Sequence, residues 1–554
     1  MSEIEASRRG RPSRTPLDLR RLVTPLAFLL VALPYVLAML RILLTARGSI
    51  VLPDDLALID LHTRRAMEFK QQLGVFDHNG WSHPGPAYYY YQSIVYRLLG
   101  NRPASLFLGS CLLSGASALG ALWVVRRRST PVRALLTAGL LCWLGILLTQ
   151  HNPAALTYSE GPLGALVSPW NPMVVILPLV LLAVLVAASI DGSALCVVAS
   201  AVVATFVIQA NISSGPLALT LVLLGLLGWA VAAWRGRAEP IHWRSWVLGA
   251  GFIAILVLMW IPPLMEEVGG HPGNLTMIWR FFNEEHAGQS LSAGAWTLVS
   301  VGATAVVGPS QVMGSLLGSR PPHSAIGVLV LLVSMTCALT SVVLGLKQRR
   351  RFALGLGIVA SLGMIALLLS FLNVIGFIFG YLALWGTVVP MIGFLSIAML
   401  RTPSIVRRTR ADLLAKSAIA VASITCSVAF CIAATSLPPV SEASDPAVAK
   451  MAALVSPHLD RASLVEVNDA GAGTEATQLL DTERFIGLVN ELDRRGYQTR
   501  VNSFWKAQFG ESLVSRGNIR QRIILKTAVA DSSARQGFVG TAGDMAIFVK
   551  KSSG

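Results

Sequence analysis

The sequence predicts an all-α polytopic membrane protein of about 11 transmembrane helices, followed by a small C-terminal α/β domain. Two features of the composition indicate the membrane part. Hydrophobic residues make up 54% of the 554 residues and charged residues only 13%, whereas a soluble domain carries about 25% charged residues. The third observation is a change near residue 437 from long apolar runs to short alternating ones, which predicts a separate folded domain.

Eleven apolar runs are long enough to cross a bilayer, which takes about 20 predominantly apolar residues. They lie near residues 24–46, 104–125, 132–149, 172–189, 194–212, 216–234, 246–263, 324–346, 352–372, 377–400 and 416–436. Residues 1–23 form a polar, Arg-rich lead, and the run after it is too long for the core of a signal peptide. We therefore expect an uncleaved first helix. The apolar, Gly- and Ser-rich segment 295–318 is either a re-entrant or interfacial segment or a further span. We favour re-entry, because the charge pattern on both sides is satisfied without a further span.

Basic clusters follow every second span and predict the orientation of the chain. They are Arg126–Arg128, Arg235 with Arg237, Lys347 with Arg349–Arg351, and Arg401 to Arg410. Because cytoplasmic loops carry an excess of Lys and Arg, we expect the N-terminus inside and residues 47–103 and 437–554 outside a plasma membrane. Residues 437–554 contain 14 Lys and Arg against 13 Asp and Glu, so nearly all of the net charge of +16 lies beside the spans. This distribution argues against a nucleic-acid partner.

The tail, residues 437–554, differs in kind from the rest of the chain. Its β-rich runs lie at 463–467, 521–526 and 544–549. Between the first two, the segment LDTERFIGLVNELDRRGYQ places apolar residues at helical spacing: Phe485, Leu488, Val489 and Leu492. Gly496 is a plausible end of that helix. The pattern predicts an α/β domain of about 100 residues.

Two adjacent carboxylates, Asp54 and Asp55, stand where the first span leaves the membrane. Charged side chains are costly at membrane depth, so acids at the mouth of a helix are functional candidates. They suit a general base, or a group that orients an acceptor hydroxyl and shares a divalent cation (Mg²⁺ or Mn²⁺) with a phosphate. The alternative is a structural helix cap, because Asp after Pro53 often opens a helix. The two roles are compatible, since one acid can cap while the other faces a cavity.

Ring side chains follow in the same loop. His78, Trp81 and His83 precede a Pro-Gly-Pro turn at 84–86, which should fix the direction of the His83 ring. An imidazole can donate to a phosphate or move a proton, and the alternative is an ordinary surface histidine. Tyr88 opens a run of four tyrosines, which suits an interfacial aromatic belt, helix packing or sugar stacking.

Later outer loops add further candidates for substrate contacts. Glu160, Trp170 and Asn171 lie between the third and fourth spans, where Trp170 is most simply an interfacial belt residue. Arg280 lies between Trp279 and Phe281. Its guanidinium can clamp a phosphate through two hydrogen bonds, or extend past apolar surface towards lipid headgroups.

The loop after the first span resembles that of the GT-C class of integral membrane glycosyltransferases, which use polyprenyl-phosphate sugars on the extracytoplasmic side. The shared pattern is an acid after the first helix, a helical segment, and a Pro-containing turn before the second helix. Here these are PDDLALIDLHTRRAMEF and GWSHPGPAYYYYQSIVYRLLG. The HPGP form looks like that of uncharacterised actinobacterial members. The similarity continues more loosely in SPWNP (168–172), PGNLTMIWRFF (272–282) and ELDRRG (491–496).

The resemblance implies a GT-C-like fold and a direct, inverting transfer of a sugar, of arabinose or mannose type, from polyprenyl phosphate to a cell-envelope glycan or glycolipid. It places the catalytic acid at Asp55 with Asp54 as its neighbour, and the donor-phosphate contact at His83. Many relatives carry a second acidic motif in a later outer loop. Here only Glu160 or the Glu266–Glu267 pair can supply that motif, which leaves metal use open.

Two other functions are compatible with the same topology. A flippase or transporter of lipid-linked sugars should carry ionisable residues near mid-membrane, and the charges here cluster at helix ends. A catalytically inactive glycan-binding scaffold would keep the fold but would not depend on Asp55.

Overall fold

A computed structural model describes residues 19–77, 79–151, 163–240, 242–312, 316–400, 410–469, 475–516, 519–527 and 535–551. In chain order the helices before the tail are α1 (Leu19–Thr45), α2 (Asp54–Met67), α3 (Ala87–Leu98), α4 (Ala104–Arg128), α5 (Pro131–Thr149), α6 (Asn171–Val174), α7 (Ile176–Ile190), α8 (Ala194–Ala210), α9 (Gly215–Trp234), α10 (Trp243–Gly269), α11 (Asn274–Asn283), α12 (Leu291–Val307), α13 (Ser324–Lys347), α14 (Arg351–Leu372), α15 (Gly380–Leu384), α16 (Val388–Ala398) and α17 (Arg410–Thr435).

Ten helical segments within the described ranges are long and apolar enough to cross a membrane. They are α1, α4, α5, α6 with α7, α9, α10, α13, α14, α15 with α16, and α17. The remaining predicted span, 194–212, is α8, an apolar helix of 17 residues. The predicted polytopic helical architecture is confirmed.

Small residues allow the membrane helices to approach closely. Gly145 on α5 lies against the ring of Phe430 on α17, where any larger side chain would collide. Tyr35 on α1 meets the same ring edge-on, with 5.3 Å between the ring centroids. Because apolar surface gains little by leaving lipid, close packing of this kind is what holds membrane helices together.

The predicted re-entrant segment corresponds to α12 and the residues after it. The backbone N–H of Gln289, just before α12, donates to the carbonyl of Leu372 at the end of α14 (2.8 Å). After α12 the chain comes back, and Gly318 packs against Ala293 near the start of the same helix. This path enters and leaves on one side, so α12 does not change the side on which α13 begins.

The loop after α1 is itself folded. It contains α2, a two-stranded antiparallel hairpin of β1 (Phe76–Asp77) and β2 (Trp81–Ser82), and then α3. The hairpin is held to the start of α11. The Asn274 side chain accepts a hydrogen bond from the Ser82 N–H and donates one to the Ser82 carbonyl, both 2.8 Å long.

The tail forms a five-stranded mixed sheet with helices. Its elements are α18 (Pro446–Val455), β3 (Leu464–Asp469), α19 (Glu475–Arg494), β4 (Gln498–Val501), α20 (Lys506–Phe509), β5 (Gln521–Thr527), β6 (Phe538–Ala542) and β7 (Met545–Lys551). The strand order is β4-β3-β5-β7-β6, in which β3 pairs in parallel with β4 and β5. The runs at 463–467, 521–526 and 544–549 fall on β3, β5 and β7, whereas β4 and β6 were not predicted from the sequence.

The tail packs directly on the loop after α1. The backbone N–H of Asp445 donates to the Val51 carbonyl (2.9 Å), and the Val51 N–H donates to the Ser444 hydroxyl (2.9 Å). Further along, Arg494 on α19 pairs with the fully buried Asp60 on α2 (3.1 Å). The first loop and the tail therefore lie on the same side of the membrane helices, at the C-terminal end of α1.

Candidate active site

Asp54 and Asp55 are placed by the turn that joins the segment after α1 to α2. Pro53 has an extended backbone, and Asp54 takes a left-handed conformation with φ of +53°, which Asp tolerates better than most residues. Leu52 and Leu56 are buried on either side and anchor the turn. The two acids therefore sit at the first turn of a helix whose position is set by core packing.

Trp170 fixes the orientation of the Asp55 carboxylate. Its indole Nε1–H donates to Asp55 Oδ2 at 2.8 Å. The Trp170 ring is only 5% exposed and lies 4.5 Å from the ring of Tyr381, centroid to centroid. It is therefore buried against protein, whereas a residue of an interfacial belt would face lipid.

The electrostatic environment makes Asp55 an unusually weak acid. Desolvation and, next, the neighbouring Asp54 carboxylate raise the pKa of Asp55 to about 7, against the opposing effect of the Trp170 hydrogen bond. Asp77 adds a smaller effect in the same direction as Asp54. A carboxylate with a pKa near the working pH can both accept and release a proton, which suits general base catalysis.

His83 is joined to the same region through Asn171, the residue after Trp170. The Asn171 side-chain amide Nδ2 donates to His83 Nε2 at 2.9 Å, and the backbone nitrogen of Ile212 lies 3.3 Å from His83 Nδ1. Burial lowers the pKa of His83 to about 4, so the ring is neutral at physiological pH. Two consecutive residues thus contact Asp55 and His83, and they bring four of the predicted site residues together.

The phosphate contact expected of His83 stays a prediction. In this structure the ring is buried and both of its nitrogens face protein atoms. Trp81 is also buried and lies 5.9 Å from the His83 ring and 5.5 Å from Phe281, measured between ring centroids. These contacts show how the loop is packed, and contact with a ligand would require His83 to exchange one of its present partners.

Three of the four consecutive tyrosines make hydrogen bonds to backbone carbonyls, and the fourth, Tyr89, does not. The hydroxyls of Tyr88, Tyr90 and Tyr91 donate to backbone carbonyls of Pro169, Gln71 and Gly109 respectively. Tyr89 is fully buried, and its hydroxyl has no hydrogen-bond partner among the residues that the structure describes. These contacts are those of helix packing, so a role of Tyr88 in sugar binding stays a prediction.

Several predicted residues are not gathered at this site. The Arg280 side chain is exposed on α11. Glu266 and Glu267 accept hydrogen bonds from the backbone N–H groups of Asn274 and Leu275, so this acidic pair caps the start of α11. His78 and Glu160 lie outside the described residues.

Glu483, on α19, is an acid of the site that the sequence analysis missed. It is 2% exposed, and burial followed by the Asp54 and Asp55 carboxylates raises its pKa to about 8. The helical pattern of the tail pointed only to the apolar face of α19. The available signal was Gly487, because a glycine inside a helix often marks a close approach by another part of the backbone.

A metal site is not preformed here. No group of three or more His, Cys, Asp or Glu side chains within the described ranges is arranged to hold a metal ion. The Asp54–Asp55 pair alone falls short of the ligand set that a dedicated protein site provides.

A large cavity opens beside the hairpin. It has a volume of about 1170 Å³ and lies between the first loop, the junction of α10 with α11, and the tail. Its lining includes His62, Trp81, Glu266, Asn274 and Phe504. The cavity begins next to His83, because Trp81 and Ser82 form part of its wall.

The overall fold is similar to that of solved membrane proteins. ArnT from Cupriavidus metallidurans bound to undecaprenyl phosphate matches with a TM-score of 0.54 at 12% identity, over 96% of this chain and 98% of that chain. The apo state of ArnT from the same organism gives 0.50 at 14% identity, over 95% and 98%. The arabinofuranosyltransferase AftD from Mycobacteria gives 0.39 at 14% identity, over 94% of this chain and 40% of that chain. By sequence, no family profile and no curated protein matches the chain. The predicted GT-C-like fold is confirmed by the ArnT comparison.

Proposed function

We propose that the protein is a membrane glycosyltransferase that moves a sugar from a polyprenyl-phosphate donor to a cell-envelope glycan or glycolipid, with Asp55 as the general base. The observation that carries the proposal is the Asp55 carboxylate itself. It stands at the mouth of the membrane helices, is held by Trp170, and has its pKa raised to about 7. The similarity of the fold to ArnT bound to undecaprenyl phosphate supports a lipid-phosphate donor.

The chemistry is a single displacement at the anomeric carbon. Asp55 accepts the proton of an acceptor hydroxyl while the oxygen of that hydroxyl forms a bond to the anomeric carbon. The bond from that carbon to the phosphate oxygen breaks, and polyprenyl phosphate leaves with the electron pair. Attack opposite to the leaving group inverts the anomeric centre. Trp170 keeps the base aligned, and alignment of this kind is worth a large part of the barrier in such reactions.

Support for a lipid-linked donor comes from the fold and from chemistry. The similar ArnT structure holds undecaprenyl phosphate. Nucleotide sugars are absent outside the membrane, so an outward-facing site needs a donor that crosses with its lipid. We propose a sugar of arabinose or mannose type as the transferred group. We further propose that part of the acceptor lies in the 1170 Å³ cavity beside the hairpin.

The orientation is part of the proposal. The basic clusters support a cytoplasmic N-terminus and a tail outside the plasma membrane. We expect an impermeant thiol reagent added to intact cells to label single cysteines introduced in 60–95 and in 450–540, and to spare those in 401–412. Because the first loop and the tail pack on each other, labelling of only one of the two would contradict the structure. Labelling of cysteines in 401–412 would show that the orientation is the opposite one, with the tail in the cytoplasm.

A strain that lacks the protein tests the function in cells. We expect truncated envelope glycans together with accumulated polyprenyl-phosphate sugar, and restoration of both by the wild-type gene but not by Asp55→Asn. Restoration by Asp55→Asn would favour the inactive scaffold. Accumulation of the donor only on the cytoplasmic face would favour a flippase.

A further inference from the structure

Glu483 is a buried acid of the tail, and one of its oxygens has no hydrogen-bond partner among the described residues. Its side chain is 2% exposed, and Oε1 is buried without a hydrogen-bond donor among the described residues. An ionised carboxylate in such a place is costly, so these groups are normally paired, bound to a ligand or protonated. Packing of the tail alone gives no reason for an acid at this position.

The way α19 packs on the first loop directs Glu483 towards the acid pair. Gly487, one helical turn later, lies so near the first loop that a Cβ there would come within 3.1 Å of Leu52 O and Pro53 Cα. Residues four apart lie on the same face of a helix, so Glu483 faces the segment that leads into Asp54 and Asp55. Both aspartates act on it electrostatically.

The charges around Glu483 are mostly negative. On α19 itself, the neighbouring Arg484 is bound by Asp445 (3.4 Å) and also by Asp544, so its positive charge is shared with two other acids. The Asp54–Asp55 pair faces Glu483 from α2, and Asp445 faces it from the start of α18. Burial and this surplus of acids both favour a protonated Glu483 at neutral pH.

Resting on the proposed function, we propose that Glu483 is a positioning residue of the active site, which keeps a proton beside the Asp54–Asp55 pair and switches transfer off when that proton is lost. An ionised Glu483 would add a negative charge near the base and near the departing phosphate. Like charges in a partly desolvated site repel strongly, so an anionic donor would bind less well and its phosphate would leave less easily. The tail domain thereby contributes to the chemistry as well as covering it.

The pH dependence of kcat/KM tests this proposal, with purified protein in lipid nanodiscs and a polyprenyl-phosphate sugar. We expect a bell-shaped profile for the wild type. Ionisations near pH 7 and pH 8 should make the rate at pH 9 about sevenfold lower than the maximum rate. Glu483→Gln resembles the protonated form. On the rising limb, its kcat/KM should stay within about threefold of the wild-type value, and the falling limb should be absent. Glu491→Gln is the matched control, because Glu491 is also buried on α19 but pairs with Arg495, and its profile should follow the wild type.

Superimposable profiles for wild type and Glu483→Gln would overturn the proposal, and so would loss of the falling limb in Glu491→Gln. If Glu483→Gln does not fold, Glu483→Met removes the acid at similar length and is judged in the same way. Infrared difference spectra with ¹³C-labelled glutamate give a readout that needs no activity. A protonated glutamate band present at pH 7, lost above pH 8 and absent in Glu483→Gln is expected, and its absence at pH 7 would refute the proposal. If the wild type transfers no sugar, the proposed function fails, while the infrared titration still decides the protonation of Glu483.

Discussion

The indole N–H of Trp170 donates a 2.8 Å hydrogen bond to Asp55, a residue 115 positions earlier in the chain. This bond joins the loop before α6 to the first turn of α2 and favours the ionised form of an acid whose surroundings otherwise favour protonation. The next residue, Asn171, holds His83. The geometry of the candidate site therefore depends on one dipeptide, which leads to the first prediction.

Trp170→Phe keeps the aromatic packing on Tyr381 but removes the hydrogen-bond donor. Because that bond lowers the pKa of Asp55, its loss should raise the pKa and move the rising limb of the pH–rate profile upward. A hydrogen bond to a charged group contributes about 1.5–3 kcal/mol, which corresponds to about one pH unit or more. We expect transfer roughly tenfold lower than that of wild type at pH 7, and a clearly smaller difference from wild type at pH 8.5. A rising limb at the same pH as in wild type would show that this hydrogen bond does not affect the pKa of the base.

Asp54→Asn should have the opposite effect. The Asp54 carboxylate raises the pKa of Asp55, so its neutralisation should lower that pKa and extend activity to more acidic pH. Asn is the suitable replacement because it tolerates the left-handed backbone at this position. The matched control is Asp77→Asn, which should shift the limb in the same direction but less, since Asp77 has a smaller effect on Asp55. Complete inactivity of Asp54→Asn at every pH would assign the base to Asp54.

His83→Ala should weaken donor binding or slow transfer about ten- to a hundredfold, the loss expected for a hydrogen bond to a charged group. His83→Gln keeps a donor and should recover part of the loss. Since the pKa of His83 lies near 4, the size of the effect should not vary between pH 6 and 8. A rise only in the donor KM would support phosphate contact.

Asn171→Ala separates that contact from positioning, because it removes the partner of His83 Nε2 and leaves the imidazole in place. Equal losses in Asn171→Ala and His83→Ala, both in kcat, would indicate that the ring acts through the packing of the loop. Wild-type kinetics in His83→Ala would end its role altogether.

Asp60→Asn should loosen the tail from the first loop. Asp60 is fully buried, and it accepts from Tyr96 (2.5 Å) and Asn490 (3.0 Å) and pairs with Arg494 (3.1 Å). Removing one member of a buried ion pair costs about 3–5 kcal/mol, and we expect the lower end because Arg494 is partly exposed. Thermal unfolding and limited proteolysis of the tail measure this loss.

An exposed ion pair on the same loop provides the control for Asp60→Asn. Glu68 pairs with Lys70, and both side chains are more than half exposed. Glu68→Gln should therefore change stability by less than about 1 kcal/mol. Equal melting temperatures for Asp60→Asn and Glu68→Gln would mean that the buried network does not hold the tail.

The membrane part of this fold follows from the sequence because length and hydrophobicity alone define a span. The eleven predicted runs fall on helices, and α19 was visible from the spacing of Phe485 to Leu492. Strands β4 and β6 were missed because each has only four or five residues and little alternation. Asp55 was identifiable because an acid at the end of a span is rare.

The partners of Asp55 could not be predicted from the sequence. In the sequence, Trp170 is equally compatible with a position at the membrane interface. Only the packing of α6 on the first loop turns its N–H towards Asp55. Glu483 comes from the far end of the chain, where its burial depends on how the tail docks. Arg280 shows the reverse case, since its aromatic neighbours suggested a phosphate clamp but the helix presents it to the exterior.

The rate of sugar transfer by Asp55→Asn relative to wild type, measured in nanodiscs with polyprenyl-phosphate arabinose or mannose at pH 8, tests the central claim most directly. Burial and the neighbouring Asp54 carboxylate raise the folded-state pKa of Asp55 from its ordinary value of 3.8 to about 7. The free energy of unfolding therefore falls as the pH rises from about 4 to 7, because Asp55 ionises more readily in the unfolded chain. Asp55→Asn removes this loss, so its melting temperature should be no lower than that of wild type. We predict that transfer falls 10²–10⁴-fold, roughly the contribution of a general base. Transfer at the wild-type rate by folded Asp55→Asn, and by the double variant with Asp54→Asn, would contradict the account.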